Sequence, residues 1–157
     1  MSDVGDTTPE RTDGELLARF QSSVNQPKGS VTLGFRMIAI DQSKMQIEAE
    51  FNARDDFRNP MGQIQGGYLC AMLDDVMSVA CLITSGMTHV APTLEMKTSF
   101  LRPAIANGSP LRAIGRVVKW GRTIAFTEGE IYDAGGKLLA KATGTAMPTP
   151  FENFKKK

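Results

Sequence analysis

The chain has 157 residues, 41% of them hydrophobic and 22% charged, which suits one packed domain and argues against wholesale disorder. Eighteen Lys and Arg against seventeen Asp and Glu leave a formal charge of +1. That excludes a general nucleic-acid coat, which needs a basic excess or stripe. The polar start, Met1 to Gly14, lacks the basic and apolar parts of a signal peptide, and no apolar run reads as long enough to cross a bilayer. A soluble, cytoplasmic protein with no membrane partner is expected.

Residues 1–13 are polar and carry Pro9, which reads as a mobile tail. From Glu15 to Val24, Leu16, Leu17, Phe20 and Val24 recur at helical spacing, with Asp13 as the expected cap and Pro27 and Gly29 as the stop. Val31, Leu33, Phe35 and Met37 then alternate, as do Met45, Ile47, Ala49 and Phe51 after a DQSK turn; together they predict a hairpin of two half-buried strands. Asn52 to Gln65 is polar and broken by Pro60 and Gly62, hence a loop.

From Gly66 the chain reads GGYLCAMLDDVMSVACLIT, apolar on nearly every side except for one acidic pair. Such a helix is expected to be buried, and its length of ~28 Å crosses a small domain. After a Gly86–His89 loop come four strand-like runs, at Thr93–Leu101, Leu111–Trp120, Thr123–Asp133 and Lys137–Met147. Residues 148–157 read as a proline-broken tail ending in three solvated lysines. The resulting order suits an α+β fold, an antiparallel sheet curled around the buried helix, in a single domain spanning 14–147.

The two cysteines, Cys70 and Cys81, lie on that helix ~16 Å apart along its axis, beyond disulfide reach. His89 is the only histidine, which excludes triads, two-histidine metal sites and His pairs. Chemistry must therefore rest on carboxylates, amides and backbone groups. The window Asn59–Asp75 carries the candidates. Gly66 and Gly67 let a ligand approach the free amides at the head of the helix, where the dipole favours a developing oxyanion, although Gly-Gly also simply makes a tight turn.

Asp74 and Asp75 stand mid-helix without a basic residue at helical spacing; burying acid there costs stability, so at least one is read as functional. Asn59 offers a side-chain amide to a carbonyl or shapes an Asn-Pro turn. Thr93 starts a strand and is a β-former on its own. Met61, Tyr68, Leu69, Met72 and Met77 are candidates for an adaptable apolar pocket or for plain core packing.

The stretch N-x-x-G-x-x-Q-G-G, with Asp nine positions after the Gln, resembles the hotdog-fold acyl-CoA thioesterases of the phenylacetyl-CoA type, whose usual form has His in place of that Gln. F-L-R-P-A at Phe100–Ala104 and the G-R-T-I-A-F and D-x-x-G-K-L-x-A segments look like strands of the same family, so the resemblance covers roughly residues 30–147. It implies a sheet wrapped around a helix, homodimers or homotetramers with sites at the subunit interface, and an acyl-CoA substrate with no further cofactor. In the family pattern Asp74 is the catalytic carboxylate, as nucleophile or as general base on water. Gly66 supplies the oxyanion amide, with Gly67 beside it, and Asn59 binds the thioester or orients water. Thr93 falls where relatives carry a Ser or Thr assisting that water. Arg102 and Arg122 are candidates for the CoA phosphates, and Asp75 for the substrate site. Gln65 departs from the pattern: its amide can donate, but it cannot shuttle a proton.

The helix geometry adds an inference of its own. Gly66 and Asp74 stand ~12 Å apart along one axis, too far to serve one reacting carbonyl. Each site is therefore expected to pair Asn59 and Gly66 of one subunit with Asp74 and Thr93 of the other. Two other classes compete. A hotdog hydratase or dehydratase typically needs a His–acid couple, which a chain whose only histidine is His89 does not favour. A non-catalytic acyl-thioester binder would accommodate Gln65.

Overall fold

The computed structural model describes residues 11–23 and 25–154. Residues 1–10 of the expected N-terminal tail, Val24 of the first expected helix and Lys155–Lys157 lie outside the described residues.

Helix α1 (Asp13–Gln21) begins two residues earlier than the expected Glu15, and its cap is Thr12 rather than Asp13. Thr12 Oγ1 accepts the Glu15 amide while Glu15 Oε2 accepts the Thr12 amide at 2.8 Å, a reciprocal pair that satisfies two otherwise open donors. Asp13 instead accepts the side-chain amide of Gln42 at 2.8 Å, tying α1 to the first hairpin.

Alternation at Val31–Met37 proves misleading at its start. Lys28–Leu33 forms a short helix, α2, that buries Ser30 and Leu33 and leaves Val31 exposed. Pro27 opens it and Gly34, at φ 72°, closes it in the left-handed conformation that glycine adopts freely. Strand β1 is therefore only Arg36–Asp41. A 3-10 turn at Gln42–Lys44 leads into β2 (Gln46–Asn52), where Ile47, Ala49 and Phe51 are fully buried; Met45 sits in the turn at φ 50° instead of in the strand.

Helix α3 (Gly66–Thr84) follows the polar loop as expected. Next come β3 (His89–Val90), β4 (Thr93–Phe100), β5 (Pro110–Trp120), β6 (Ala125–Tyr132), β7 (Leu138–Ala146) and β8 (Thr149–Pro150). The stretch read as a C-terminal tail thus contributes β8, which pairs antiparallel with β3 through His89–Pro150 and Val90–Thr149.

Six strands form one antiparallel sheet in the order β1-β2-β5-β6-β7-β4, which curls around α3. This is the helix-in-a-sheet architecture that the resemblance implies. Close helix–sheet contact depends on Gly115 and Gly129, which stand opposite each other on β5 and β6. A Cβ on Gly115 would lie 2.2 Å from the Val76 carbonyl oxygen, and one on Gly129 would lie 3.0 Å from Met77. Alternate strand residues face outward, where Arg36–Glu50, Arg112–Glu48 and Arg116–Glu128 pair across strands on the solvent side and add little stability individually.

Two features of this frame position the site. First, α3 is buried on one side only. Leu69, Met72, Leu73, Val76, Met77 and Ala80 face the sheet, whereas Gly67 and Ala71 are exposed and Asp74 and Ser78 half-buried along one uncovered strip. The all-round burial expected of this helix is corrected accordingly. So is the reading that no run is long enough for a bilayer: α3 has the length and composition to cross a membrane, with a mean hydropathy of 1.5 over its apolar window. Here it is the central helix that the sheet surrounds. Second, the two sheet edges differ. Alongside β1, Gln21 of α1 donates to the Met37 carbonyl at 3.1 Å, whereas among the described residues β4 pairs only with β7, and none of its residues is fully buried.

Candidate active site

The head of α3 is set by the loop before it. Asn59 Oδ1 accepts the amides of Met61 at 2.9 Å and Gln63 at 3.1 Å, and the Asn59 amide donates to the Gln63 carbonyl at 2.7 Å. This is the turn-forming role of an Asn-Pro sequence. It uses the side-chain oxygen and leaves Nδ2 as the group that can donate elsewhere. Ile64 donates to Ala104 at 2.7 Å and Gln65 to Phe57 at 2.9 Å, which pins the loop against the segment after β4.

The result is a cavity of about 340 Å³ lined by Asn59, Gly66, Leu69, Phe100 and Arg102 among others. The first-turn amides of α3, at Gly66 and Gly67, have no carbonyl of their own helix to bond. Gly66 lets the Phe100 ring lie close against the head of the helix: a Cβ there would stand 3.0 Å from the ring, which would have to give way. Arg102, exposed at the rim, is held by donation from Nη1 to the Leu138 carbonyl at 2.8 Å.

A second cluster lies further along α3. Thr93, at the start of β4, donates its hydroxyl to Asp74 Oδ1 at 2.5 Å. Asp74 lies on the uncovered strip of the helix, so its other oxygen is available to a reactant. The neighbouring Asp75 diverges around the axis and points toward the N-terminal segment, where Ser30 of α2 donates to its Oδ1 at 2.9 Å. Burial pushes the Asp75 carboxyl up to about 6; the Ser30 hydrogen bond opposes that rise and the Asp74 charge adds to it.

Within one chain the two clusters remain apart. The Gly66 cavity contains neither Asp74 nor Thr93. Among the other expected residues, Gln65 is exposed and caps α3 without a side-chain hydrogen bond, and it does not line that cavity. Gly67 is exposed on the uncovered strip. Arg122 lies exposed in the β5–β6 turn, at the Thr93 end of the sheet, because Trp120 pairs with Ala125, Ala125 with Ala146 and Ala146 with Thr93. Arg102 and Arg122 therefore occupy opposite ends of β4.

The proposed methionine-rich pocket resolves differently. Leu69, though buried, does line the Gly66 cavity, whereas Met72 and Met77 are buried core, Met61 is 74% exposed, and Tyr68 stacks on Phe57 at 4.2 Å between ring centroids. Cys81 is buried, which pushes its thiol up to about 12, and Cys70 Sγ stands 3.6 Å from Thr98 Oγ1; both cysteines are free.

Sequence reasoning did not single out Phe100 as a wall of the Gly66 cavity, nor Ser30 as the partner of Asp75. The first lay within the quoted F-L-R-P-A segment and could have been flagged as an aromatic beside an arginine. The second carried no local signal.

A family model described as the thioesterase superfamily matches residues 61–140. A phenylacetic acid degradation-related protein of Ralstonia eutropha JMP134 superposes with a TM-score of 0.76 at 37% identity, over 84% of this chain and 98% of that one. A Streptococcus mutans UA159 protein solved bound to acetyl-CoA gives 0.65 at 25% identity, over 74% of this chain and 89% of its own. Human acyl-coenzyme A thioesterase 13 is 28% identical over 102 residues, which is 64% of this chain and 71% of that protein. The helix wrapped in a sheet, the glycine pair at its head and these similarities lead to one conclusion: the chain belongs to the thioesterase superfamily, as a hotdog-fold thioester hydrolase.

Proposed function

We propose that this protein hydrolyses an acyl-CoA thioester to a free carboxylic acid and CoA, at sites each shared between two protomers of a homodimer. The observation that carries the reading is the separation of Asn59 and Gly66, at the head of α3 and the Phe100 end of β4, from Asp74, midway along α3, and Thr93, at the other end of β4. Two copies of β4 paired antiparallel about a two-fold axis bring the Thr93 end of one strand beside the Phe100 end of the other. That operation satisfies the open edge of β4 and sets Asp74 of one protomer before the Gly66 amide of its partner. Similarity to a structure holding acetyl-CoA and to an acyl-coenzyme A thioesterase supports the substrate class.

In this arrangement the thioester carbonyl oxygen accepts from the Gly66 amide and from Asn59 Nδ2. A water sits between Asp74 Oδ2 and Thr93 Oγ1; the hydroxyl donates to Oδ1 and so presents its lone pairs to that water. Asp74 takes a proton as the water oxygen bonds to the carbonyl carbon, and the charge collects on the oxygen held by the amides. The C–S bond then breaks, and CoA leaves as a thiolate that needs little acid assistance. Arg102, held beside the cavity, contributes positive charge toward the CoA phosphates. Arg122, at the Thr93 end, contributes it from the other protomer.

The test is release of free thiol from a panel of acyl-CoAs by the wild type and by Asp74→Asn. Hydrolysis by the wild type and its loss by at least 100-fold in the variant, with the oligomer intact, are expected. Tight binding without thiol release would favour a non-catalytic binder, and hydration without thiol release a hydratase.

A further inference from the structure

Strand β4 carries two opposite charges that its own sheet leaves unanswered. From Glu95 to Phe100 it pairs with β7 residue for residue, without interruption. Thr98 reaches Cys70 and Phe100 lies against Gly66, so Met96, Thr98 and Phe100 face α3 while Glu95, Lys97 and Ser99 face outward. The neighbours of Glu95 and Lys97 across the ladder are Thr145 and Thr143, which carry no charge. Among the described residues neither Glu95 nor Lys97 forms an ion pair, whereas Arg112–Glu48 and Arg116–Glu128 pair across strands on the outer face. Leu94 and Phe100 are exposed along the same open edge.

Pairing of β4 with its own copy about a two-fold axis admits few registers. Directly opposed residues of an antiparallel pair carry their side chains on one face, and the two strands here are identical. The axis must therefore fall on a residue position of the regular stretch and not between two. Placing Thr93 of one strand beside Phe100 of the other puts it on Met96 or on Lys97, the two central positions of β4. With the axis on Lys97, the two Lys97 ammonium groups oppose each other and each Glu95 meets a serine, Ser99. With the axis on Met96, Glu95 of each protomer stands opposite Lys97 of its partner, twice about the axis. Charge complementarity selects the second.

We infer that β4 pairs with a second copy of this chain in the register centred on Met96, fixed there by two symmetric Glu95–Lys97 ion pairs. The inference rests on the paired-β4 dimer of the reading above and specifies the interface that builds its sites. Moving the axis from Met96 to Lys97 slides one strand past the other by two residues, roughly 7 Å. Asp74, tied to Thr93 on that strand, would shift by the same amount against the partner's Gly66 amide. Exposed ion pairs add little affinity, but like charges set opposite each other exclude the wrong register. The pairs thus align the two halves of each site.

The experiment follows subunit exchange between isotope-labelled and unlabelled protein by native mass spectrometry, at one low salt concentration because exposed pairs are screened. Both side chains are exposed, so their substitution leaves the protomer's fold intact. Glu95→Lys and Lys97→Glu are each expected to speed exchange by about tenfold or more, and the double charge swap to return it to within about threefold of wild type. Thiol release should fall in the single variants and recover in the double one. Either single variant exchanging as the wild type does, or a double variant as fast as the singles, overturns the inference and leaves the shared site standing. A wild type that is monomeric at every concentration overturns the shared site and this register together. Exchange as expected with no thiol released from any acyl-CoA overturns the hydrolase reading alone.

Discussion

Thr93 and Asp74 meet at 2.5 Å, hydroxyl to carboxylate, although one begins an edge strand and the other lies midway along the central helix. This contact orients the carboxylate and fixes which oxygen is left for water. Thr93→Val, which keeps the shape but loses the hydroxyl, is expected to lower kcat by about 10- to 100-fold with a smaller effect on KM. Thr93→Ser should retain most of the activity. Steady-state kinetics on both variants check this, and a Thr93→Val enzyme with wild-type kcat would remove the hydroxyl from the mechanism.

Asn59 and Gln65 are both amides near the head of α3, yet only Asn59 lines the Gly66 cavity. Asn59→Asp preserves the oxygen that closes the turn through Met61 and Gln63 but replaces the donor. It should cost on the order of 10²-fold in kcat, as loss of an oxyanion donor does. Gln65→Ala should stay within about threefold of wild type, because its side chain makes no cap and does not line the cavity. Reversal of that order in kcat measurements would place the oxyanion donor on Gln65.

Asp75 makes stability depend on pH in an unusual direction for a carboxylate. Burial raises it from the ordinary 3.8 to about 6, with the Ser30 hydroxyl and the Asp74 carboxylate as the groups facing it. Between these values the folded chain binds more protons than the unfolded one, so this group's contribution to stability falls as pH rises from about 4 to about 6. Relative to Asp75→Asn, the wild type should lose on the order of 2 kcal/mol across that window and change little above pH 7. Urea unfolding of both proteins at a series of pH values measures it; parallel curves would mean that the carboxyl is not buried in solution.

Gly115 carries the contact between sheet and helix. Any side chain there meets the Val76 carbonyl oxygen, 2.2 Å from an added Cβ, and backbone cannot swing aside. Gly115→Ala should destabilise by about 1–3 kcal/mol or more, seen as a lower urea midpoint. An unchanged midpoint would show that α3 sits farther from β5.

Much of this architecture is legible in the sequence because β5, β6 and β7 are long runs whose alternation largely agrees with burial, and α3 is one unbroken apolar run between clear breaks. The failures are local ambiguities. Val31 and Leu33 alternate like a strand, but Pro27 and Gly34 bracket a six-residue helix in which Ser30 and Leu33, three apart, face inward. The pairing of β3 with β8 joins residues some sixty positions apart through two residues each, with no local pattern to announce it. The site divides similarly. Asn59, Gly66 and Asp74 follow from a compact motif, and the distance between Gly66 and Asp74 follows from helix rise alone. The Phe100 ring over Gly66 and the Ser30 hydrogen bond to Asp75 span 34 and 45 positions and arise only when the sheet closes.

The central claim is that each site takes its amides from one protomer and its carboxylate from another. Its most direct measurement is complementation: an Asp74→Ala chain mixed and reassembled with a Gly66→Pro chain, thiol release being followed while native mass spectrometry counts the mixed dimers. Each variant alone should be inactive, and every mixed dimer should hold one intact site, restoring about a quarter of wild-type activity in an equal statistical mixture. Mixed dimers that form and still release no thiol would contradict the shared site.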